Sequence, residues 1–581
     1  MPQLPSLTPG RVTRLVTEVF SGYDHELRIP DGALYDTLNL SSSDYPLLAT
    51  RPRRAVKGTL RDPGGLLSKD ALCYVDRGTL YVNGLPTALT GLSSGEKQLV
   101  SMGATIVVFP DKRYYNTEDP ADFGSLEADF SVTGEISYAP CDSDGNVYTV
   151  GAVSAQAPAN PVNGDCWLDT SSGTLMLYSA SQLSWAAVET VYARLTFPTQ
   201  GQLPALFRQG DGVEISGLDG DDLNGTKVLY ALGGETGRTD DYLVVIGPAR
   251  AAFSEQGTVR VRRRVPELDF VCEFQNRLWG CFYGWDGTQT LNEIYCSALG
   301  DFRNWRQYRG LATDSWAASV GSDGPWTGAV SYLGHPTFFK EERIHTVTVS
   351  PSGAHRLDET VCRGVQRGSH KSLAVVGETL YYKSRSDVCA WQGGFPVSVS
   401  AALGGESYSD AVGGVLGNRY YLSMRSENGT WSLFTFDIQR GLWYREDGLH
   451  ARCFAQADGE LWCVDSEGRL LAMTGKEGER EEELPWAFET GLMGYELPDK
   501  KYLSRYDLRL RMVDGGRCAL WMEYDSSGEW VESGTVAFHG TGTATVPVRP
   551  RRCDHLRLRV TGTGEMKLFS IARNLEVGSD V

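Results

Sequence analysis

Histidine, cysteine and paired carboxylates are the side chains most able to bind metal, attack a carbonyl or move a proton, and this sequence scatters them. Its eight histidines (25, 335, 345, 355, 370, 450, 539 and 555) form no HExxH and no other metal-ligand spacing. Its twelve cysteines include no CxxC pair, so they read as reduced, mostly buried thiols and not as a zinc site. No GxSxG elbow, phosphate-binding loop or GxGxxG following a strand is present. Asp76, Asp301 and Asp437 could serve a glycosidase, but each sits at a turn, where Asp caps the backbone. The sialidase Asp-box has only approximations, in "GSDGPW" (321–326) and "YDSSGEW" (524–530). Asp142, Asp144 and Asn146 alternate as in a calcium loop, but Val153 stands where the bidentate Glu belongs, and "DGDDLN" (219–224) is a second acidic turn. Trp167, Trp185, Trp326 and Trp530 lie beside turns and could stack on sugars, although such residues usually pack on their own hairpins. The expectation is a chain with no catalytic residue, no metal, no cofactor and no enzymatic activity.

The elements that must carry these residues are strands. The chain has 581 residues, with 66 Gly, 14 Trp and 27 Tyr, which suits short strands joined by tight turns; its length calls for more than one core. Long helical periodicity is absent apart from a short stretch near 10–20. A turn followed by two large apolar residues recurs at Leu80-Tyr81, Leu278-Trp279, Phe338-Phe339, Leu380-Tyr381, Tyr420-Tyr421 and Leu461-Trp462, and from Leu278 the spacings are 60, 42, 40 and 41 residues. A propeller blade takes about 40–50 residues. "EIYCSALGDFRNWRQY" (293–308) and "SLFTFDIQRGLWYRED" (432–447) add a second hairpin each, with Trp305 and Trp443 on the return strand. The pattern predicts an all-β chain: a β-propeller of about six to seven blades, an inserted small β-barrel and hairpin region, and a C-terminal antiparallel β-sandwich. The boundaries are an N-terminal arm at 1–54, first blades at 55–129, the insertion at 130–265, the remaining blades at 266–475 and the sandwich at 476–581. The charge run "KEGEREEEL" (476–484) marks the last boundary, and "SRYDLRLRM" (504–512) alternates cleanly.

The net charge is −18, which opposes a surface that grips phosphate but suits a passage through which DNA slides. No secretion signal is visible, and no run approaches the roughly 18 apolar residues of a membrane helix, so synthesis in the cytoplasm and no membrane insertion are expected.

"DGALYDTLNLSSSDYPLLATRPRR" (31–54) resembles the leader of bacteriophage tail nozzle, hub and stabilisation proteins. "GDCWLDTSSGTLMLY" (164–178) resembles a small module of phage tail and fibre proteins, and "NEIYCSALGDFRNW" (292–305) a blade phrase. "PRRCDHLRLRVTG" (550–562) and "NLEVGSDV" (574–581) resemble their C-terminal sandwich. The resemblance implies a virion subunit of a phage or prophage tail. Such a protein forms a homo-oligomeric ring, commonly a hexamer, with other tail or connector proteins as partners and DNA passing without specific binding. It also implies an assembly role for the leader: Tyr45 buried, Pro46 fixing an extended path, and Arg51, Arg53 and Arg54 paired with acidic groups. The leader either docks on a neighbouring ring or closes the propeller within its own chain. The alternative functions are a tail-tip glycan-binding adhesin and a propeller glycoside hydrolase acting on a host surface polymer.

Overall fold

A computed structural model describes residues 12–219, 222–350, 354–494, 500–548 and 551–577. The quoted residues 1–11, 220–221, 549–550 and 578–581 lie outside that set. The chain is all-β, and its described residues form ten sheets. It splits into two compact units, one made of residues 1–96, 338–345 and 359–581, the other of 97–337 and 346–358.

The first unit contains small sheets at Pro63–Pro86, Ala374–Ser398, Tyr408–Asp447 and Ala451–Arg480. The last of these takes a strand from the other end of the chain, because Ala55–Thr59 pairs antiparallel with Arg469–Ala472. The expected boundary at 55 therefore cuts ahead of a strand that belongs to the sheet of residues 451–480. The first strands of these sheets pack side by side: Tyr408–Leu416 against Ala374–Val376 and Ala451–Ala457, and the latter against Pro63–Lys69. The second unit repeats the pattern, with Phe270–Glu273 between Gln98–Met102 and Gly328–Tyr332.

Five of the six apolar pairs fall on the second strand of their sheet, in Leu278–Trp285, His335–Lys340, Thr379–Lys383, Arg419–Ser426 and Glu460–Asp465. Leu80-Tyr81 instead lies on the third strand of its sheet, Thr79–Val82. The reason is burial on both faces: every residue of Glu460–Asp465 and the run Pro336–Lys340 is buried, so adjacent large apolar residues, Leu461–Val464 and Phe338-Phe339, replace alternation there. The stretch near 10–20 is not helical. Val12–Thr17 is a strand, consistent with its β-branched Val and Thr residues. Trp443 lies on a return strand as expected, but Trp305 sits in a loop, buried, with its indole N–H donating to the Phe302 carbonyl.

The second unit also holds a seven-stranded sheet spanning Ala128–Arg263, with a core that includes Phe130, Phe197 and Val261, and a separate four-stranded sheet at Val150–Ala187. The C-terminal region is not a body of its own. It forms one nine-stranded sheet with four strands of the N-terminal arm: Leu34–Leu38 pairs with Pro485–Thr490, and both Val12–Thr17 and Leu48–Thr50 pair with Met566–Val577. The 24-residue strand Lys501–Tyr524 runs through its centre and pairs with Met566–Val577 along its first half and with Leu556–Thr563 along its second. Leu508, Leu510, Leu520 and Met522, from both halves of that strand, share one core with Phe20, Leu40 and Leu48 from the arm.

Candidate functional site

Two places bring chemistry-bearing side chains together. The first is where the arm crosses the first unit. Asn39 takes a left-handed conformation (φ 55°), which Asn tolerates better than most residues. Its side-chain oxygen accepts from Arg51 Nε at 2.7 Å, while its amide donates to the Pro485 carbonyl. Arg51 then grips Glu481 with both terminal nitrogens, at 2.8 and 3.1 Å. Arg54 donates to Asp447 at 2.6 Å and Glu446 at 2.7 Å. Thr435 donates to the other oxygen of Glu446. The side chains of Arg51, Arg54 and Glu446 are each only 4% exposed. Burial alone would raise the pKa of Asp447, but Arg54 and Arg51 outweigh it and hold the carboxyl below its usual value. Burial likewise opposes ionisation of Glu481, and Arg51 again prevails. Burial disfavours the charge on Arg54, yet Asp447 and Glu446 raise its pKa. Nearly buried charges of this kind persist only when paired and hydrogen-bonded.

The sequence-based expectations for the arm divide accordingly. Arg51 and Arg54 pair with acidic groups. Arg53 does not: its guanidinium donates to the carbonyl oxygens of Glu481 and Glu482. Tyr45 is not buried but 39% exposed, with the Arg440 guanidinium 5.2 Å above its ring. Pro46 follows a cis peptide within a turn and does not set an extended path. These two sit in the turn between Leu40–Ser41 and Leu48–Thr50, where the Tyr45 ring stays partly open to solvent beside Arg440. The acidic partners were missed. Glu481 lay in a run read as a boundary, and some 430 residues separate it from Arg51.

The second place is an aromatic-lined cavity of about 440 Å³ in the second unit, formed by Tyr308, Leu311, Asp314, Trp316 and His355 among others. Trp316 stacks on His355 (centroids 5.1 Å apart, planes 27°), and buried Trp279 packs against both. Tyr308 and Leu311 are 52% and 57% exposed. Asp314 is spent on its own loop, accepting from Leu311 N, Arg309 N and Gln307. Burial, and then the Arg277 charge, push His355 down to about 4, so its ring is neutral at pH 7. Its Nε2 is buried without a hydrogen-bond partner. No sequence signal pointed to this site: most of its lining lies in the one stretch 308–316, but that stretch becomes a site only where the fold brings Ala354 and His355 against it.

The remaining candidates are absorbed by local structure. Asp76 accepts from the amides of Arg61 and Asp62, and Asp301 from Arg303 N. Asp437 accepts from Ser42 and Arg440 beside a cavity of about 190 Å³; burial would raise its pKa, but those bonds hold it low. Asp142 closes its own turn with Asp144 N and Asn146. Asn224 closes another across the Leu218 backbone. Among the described residues no group of three or more His, Cys, Asp or Glu is placed to hold a metal ion, and all twelve cysteines are free thiols. Trp167 and Trp326 are buried, with their indole N–H groups donating to Ser154 and to the Phe282 carbonyl. Trp185 packs on Trp167 and Tyr178, and Trp530 lies beneath the Arg559 guanidinium.

No protein-family model and no curated protein matches the chain. Among solved structures it is similar to an exo-beta-1,3-galactanase from Phanerochaete chrysosporium, at 9% identity and a TM-score of 0.22, over 52% of this chain and 95% of that one. A second, described as a glycoside hydrolase, matches at 10% identity and a TM-score of 0.19, over 52% and 96%. Because both neighbours are glycosidases, the expectation that the chain is not an enzyme is withdrawn. Likeness at these TM-scores assigns no activity.

Proposed function

We propose that the chain is a structural subunit of a bacteriophage tail, working in the virion as one copy of a ring, commonly of six, around a channel for DNA. The observation that carries this reading is the way the chain ends are built in. The arm supplies four strands to the nine-stranded sheet, the strand Ala55–Thr59 directly after it joins the sheet of residues 451–480, and the Arg51 and Arg54 clamp ties the arm down. Within each unit the small sheets pack first strand against first strand, and the sheet of residues 451–480 is completed by Ala55–Thr59, an arrangement that fits the blades of a β-propeller. The seven-stranded sheet fits a small barrel, and the nine-stranded sheet, folded around a shared core, fits a sandwich. The stretches that resemble tail proteins fall on separate elements: the arm, the hairpin of Cys166–Ser179, the strand Thr290–Cys296 and the strand Leu556–Thr563. The net charge of −18 suits a channel wall that does not retain DNA. Neighbouring tail or connector proteins would dock on the assembled ring. Negative-stain microscopy of the purified chain tests the reading: closed rings with a central opening are expected, and isolated single particles count against it.

A second reading is glycan recognition or hydrolysis at a host surface, favoured by the aromatic cavity of Tyr308, Trp316 and His355. Its volume falls within the ligand-pocket range, and aromatic faces stack on sugar rings. Binding to an array of bacterial surface polysaccharides that disappears with Trp316→Ala supports this reading. Binding that survives the substitution, or no binding at all, removes it.

A further inference from the structure

The nine-stranded sheet has two edges that invite a second copy. Along part of its length the strands run in the order Val12–Thr17, Met566–Val577, Lys501–Tyr524, Trp530–Pro547, each antiparallel to the next. The register aligns Thr17, Ile571, Leu508 and Ala544 in one row, and Leu15, Arg573, Tyr506 and Val546 in another. Val12–Thr17 and Trp530–Pro547 are thus opposite edges of the same strip. Among the described residues neither has a strand paired on its outer side.

Such edges are normally guarded by charge, proline or a bulge, because an unpaired row of N–H and C=O groups templates further pairing. On Trp530–Pro547 the charge is missing over a long span, with a bulge at Ser533 and Pro547 only toward its two ends, while the other edge carries the single charge of Arg14. Between Glu532 and Arg549 no Asp, Glu, Lys or Arg occurs, in a chain where charged residues make up 22%. Thr541, Thr543 and Thr545 form an exposed, uncharged row. On the opposite edge Leu15 and Val16 are 40% and 48% exposed. Copies of a chain with net charge −18 repel one another, so they meet most favourably where acidic groups are absent.

We propose that strand Trp530–Pro547 of one copy pairs antiparallel with strand Val12–Thr17 of the next, extending the sheet from subunit to subunit. The direction follows from the strip: four strands alternate, so the first strand of an identical strip continues the alternation when added beyond the fourth. Because different surfaces meet, the contact is heterologous, and it yields a ring when the rotation between copies closes. Main-chain bonds supply the affinity, as in other strand additions. This inference rests on the assembly reading and names the surfaces that would carry it.

The test uses the full chain and three variants: Val16→Lys, Thr543→Lys and the pair together. Mass is measured by light scattering on a sizing column, with thermal unfolding as the check on folding. Oligomers for the parent and monomers for both single variants are expected, with unchanged unfolding midpoints. Hydrogen exchange on the parent is an independent readout, requiring slow amides in both edge strands at high protein concentration and faster exchange on dilution. Oligomers that persist in both variants, or whose edge amides exchange independently of concentration, overturn the strand pairing and leave the assembly reading standing. Dissociation by Thr543→Lys alone overturns the head-to-tail arrangement in favour of pairing between identical edges. A monomeric parent overturns both the pairing and the assembly reading.

Discussion

The nine-stranded sheet and the four-stranded sheet at 150–187 solve one problem, how to hold aromatic residues next to tight turns, by opposite means. In the first, Trp486 is 1% exposed and lies against Gly562, where an added Cβ would come within 2.3 Å of the indole. Its neighbours come from both ends of the chain, Leu34 and Leu48 from the arm and Leu558 and Leu568 from the C-terminal strands. In the second, Trp167 packs on Trp185 from the same hairpin region, and Asp169 ties the turn by accepting from Ser171 and Ser172. Of its strand residues only Cys166, Trp167 and Leu175 are buried. The first region draws its stability from contacts distant in sequence, the second from neighbours. Perturbations of the first should therefore act on the whole of its unit and those of the second should remain local.

The sharpest way to break this contrast is Arg54→Ala. It removes the hydrogen-bonded partner of buried Glu446 and leaves Arg51 at 3.8 Å, and losing one member of a buried pair costs about 3–5 kcal/mol. Urea unfolding followed by tryptophan fluorescence checks it, and a loss under about 1 kcal/mol would show that the clamp is ornamental. Trp486→Ala should cost a comparable 3–5 kcal/mol through the cavity it leaves. Hydrogen exchange should show that loss across the arm and the C-terminal strands together. Acid sharpens the comparison further. Burial depresses His345 to about 4, with Glu359 opposing, and His355 is likewise near 4. A histidine whose folded pKa is lowered contributes stability that is complete above the unfolded value of about 6.5 and is lost as pH falls toward the folded value. Unfolding midpoints should therefore decline between pH 6.5 and 4, and His345→Gln and His355→Gln should flatten that decline. Below about pH 4 the lowered carboxyls of Asp447 and Glu481 protonate, and the clamp loosens. Arg54→Ala should remove much of this last slope. The smallest effects belong to Arg53→Ala and Trp185→Ala, each about 1 kcal/mol or less. Arg53 donates only to carbonyl oxygens, and Trp185 is half-exposed. For Trp185→Ala, faster exchange confined to residues 150–187 is the expected signature.

Much of the fold was legible because strands buried on both faces write short unbroken apolar stretches into the chain, as at Phe338-Phe339 and Leu461–Val464. Less was legible where one residue pair could mark more than one strand, which placed Leu80-Tyr81 one strand late. The candidate sites were only half visible. Arg51 and Arg54 stood out as a basic cluster, but nothing local identifies Glu446, Asp447 or Glu481 as their partners. The aromatic cavity joins the stretch of Tyr308 and Trp316 to His355 from a later strand, and nothing local in either stretch identifies the other.

Strand content, turn positions, the spacing of the small sheets and the overall acidity follow from the order of residues alone. These properties depend on near neighbours, on alternation and on composition. Which strand closes which sheet, which carboxylate meets which guanidinium and which edge stays unpaired were decided by tertiary structure. Pairings across some 400 residues depend on burial and register, and no local stretch of sequence encodes either.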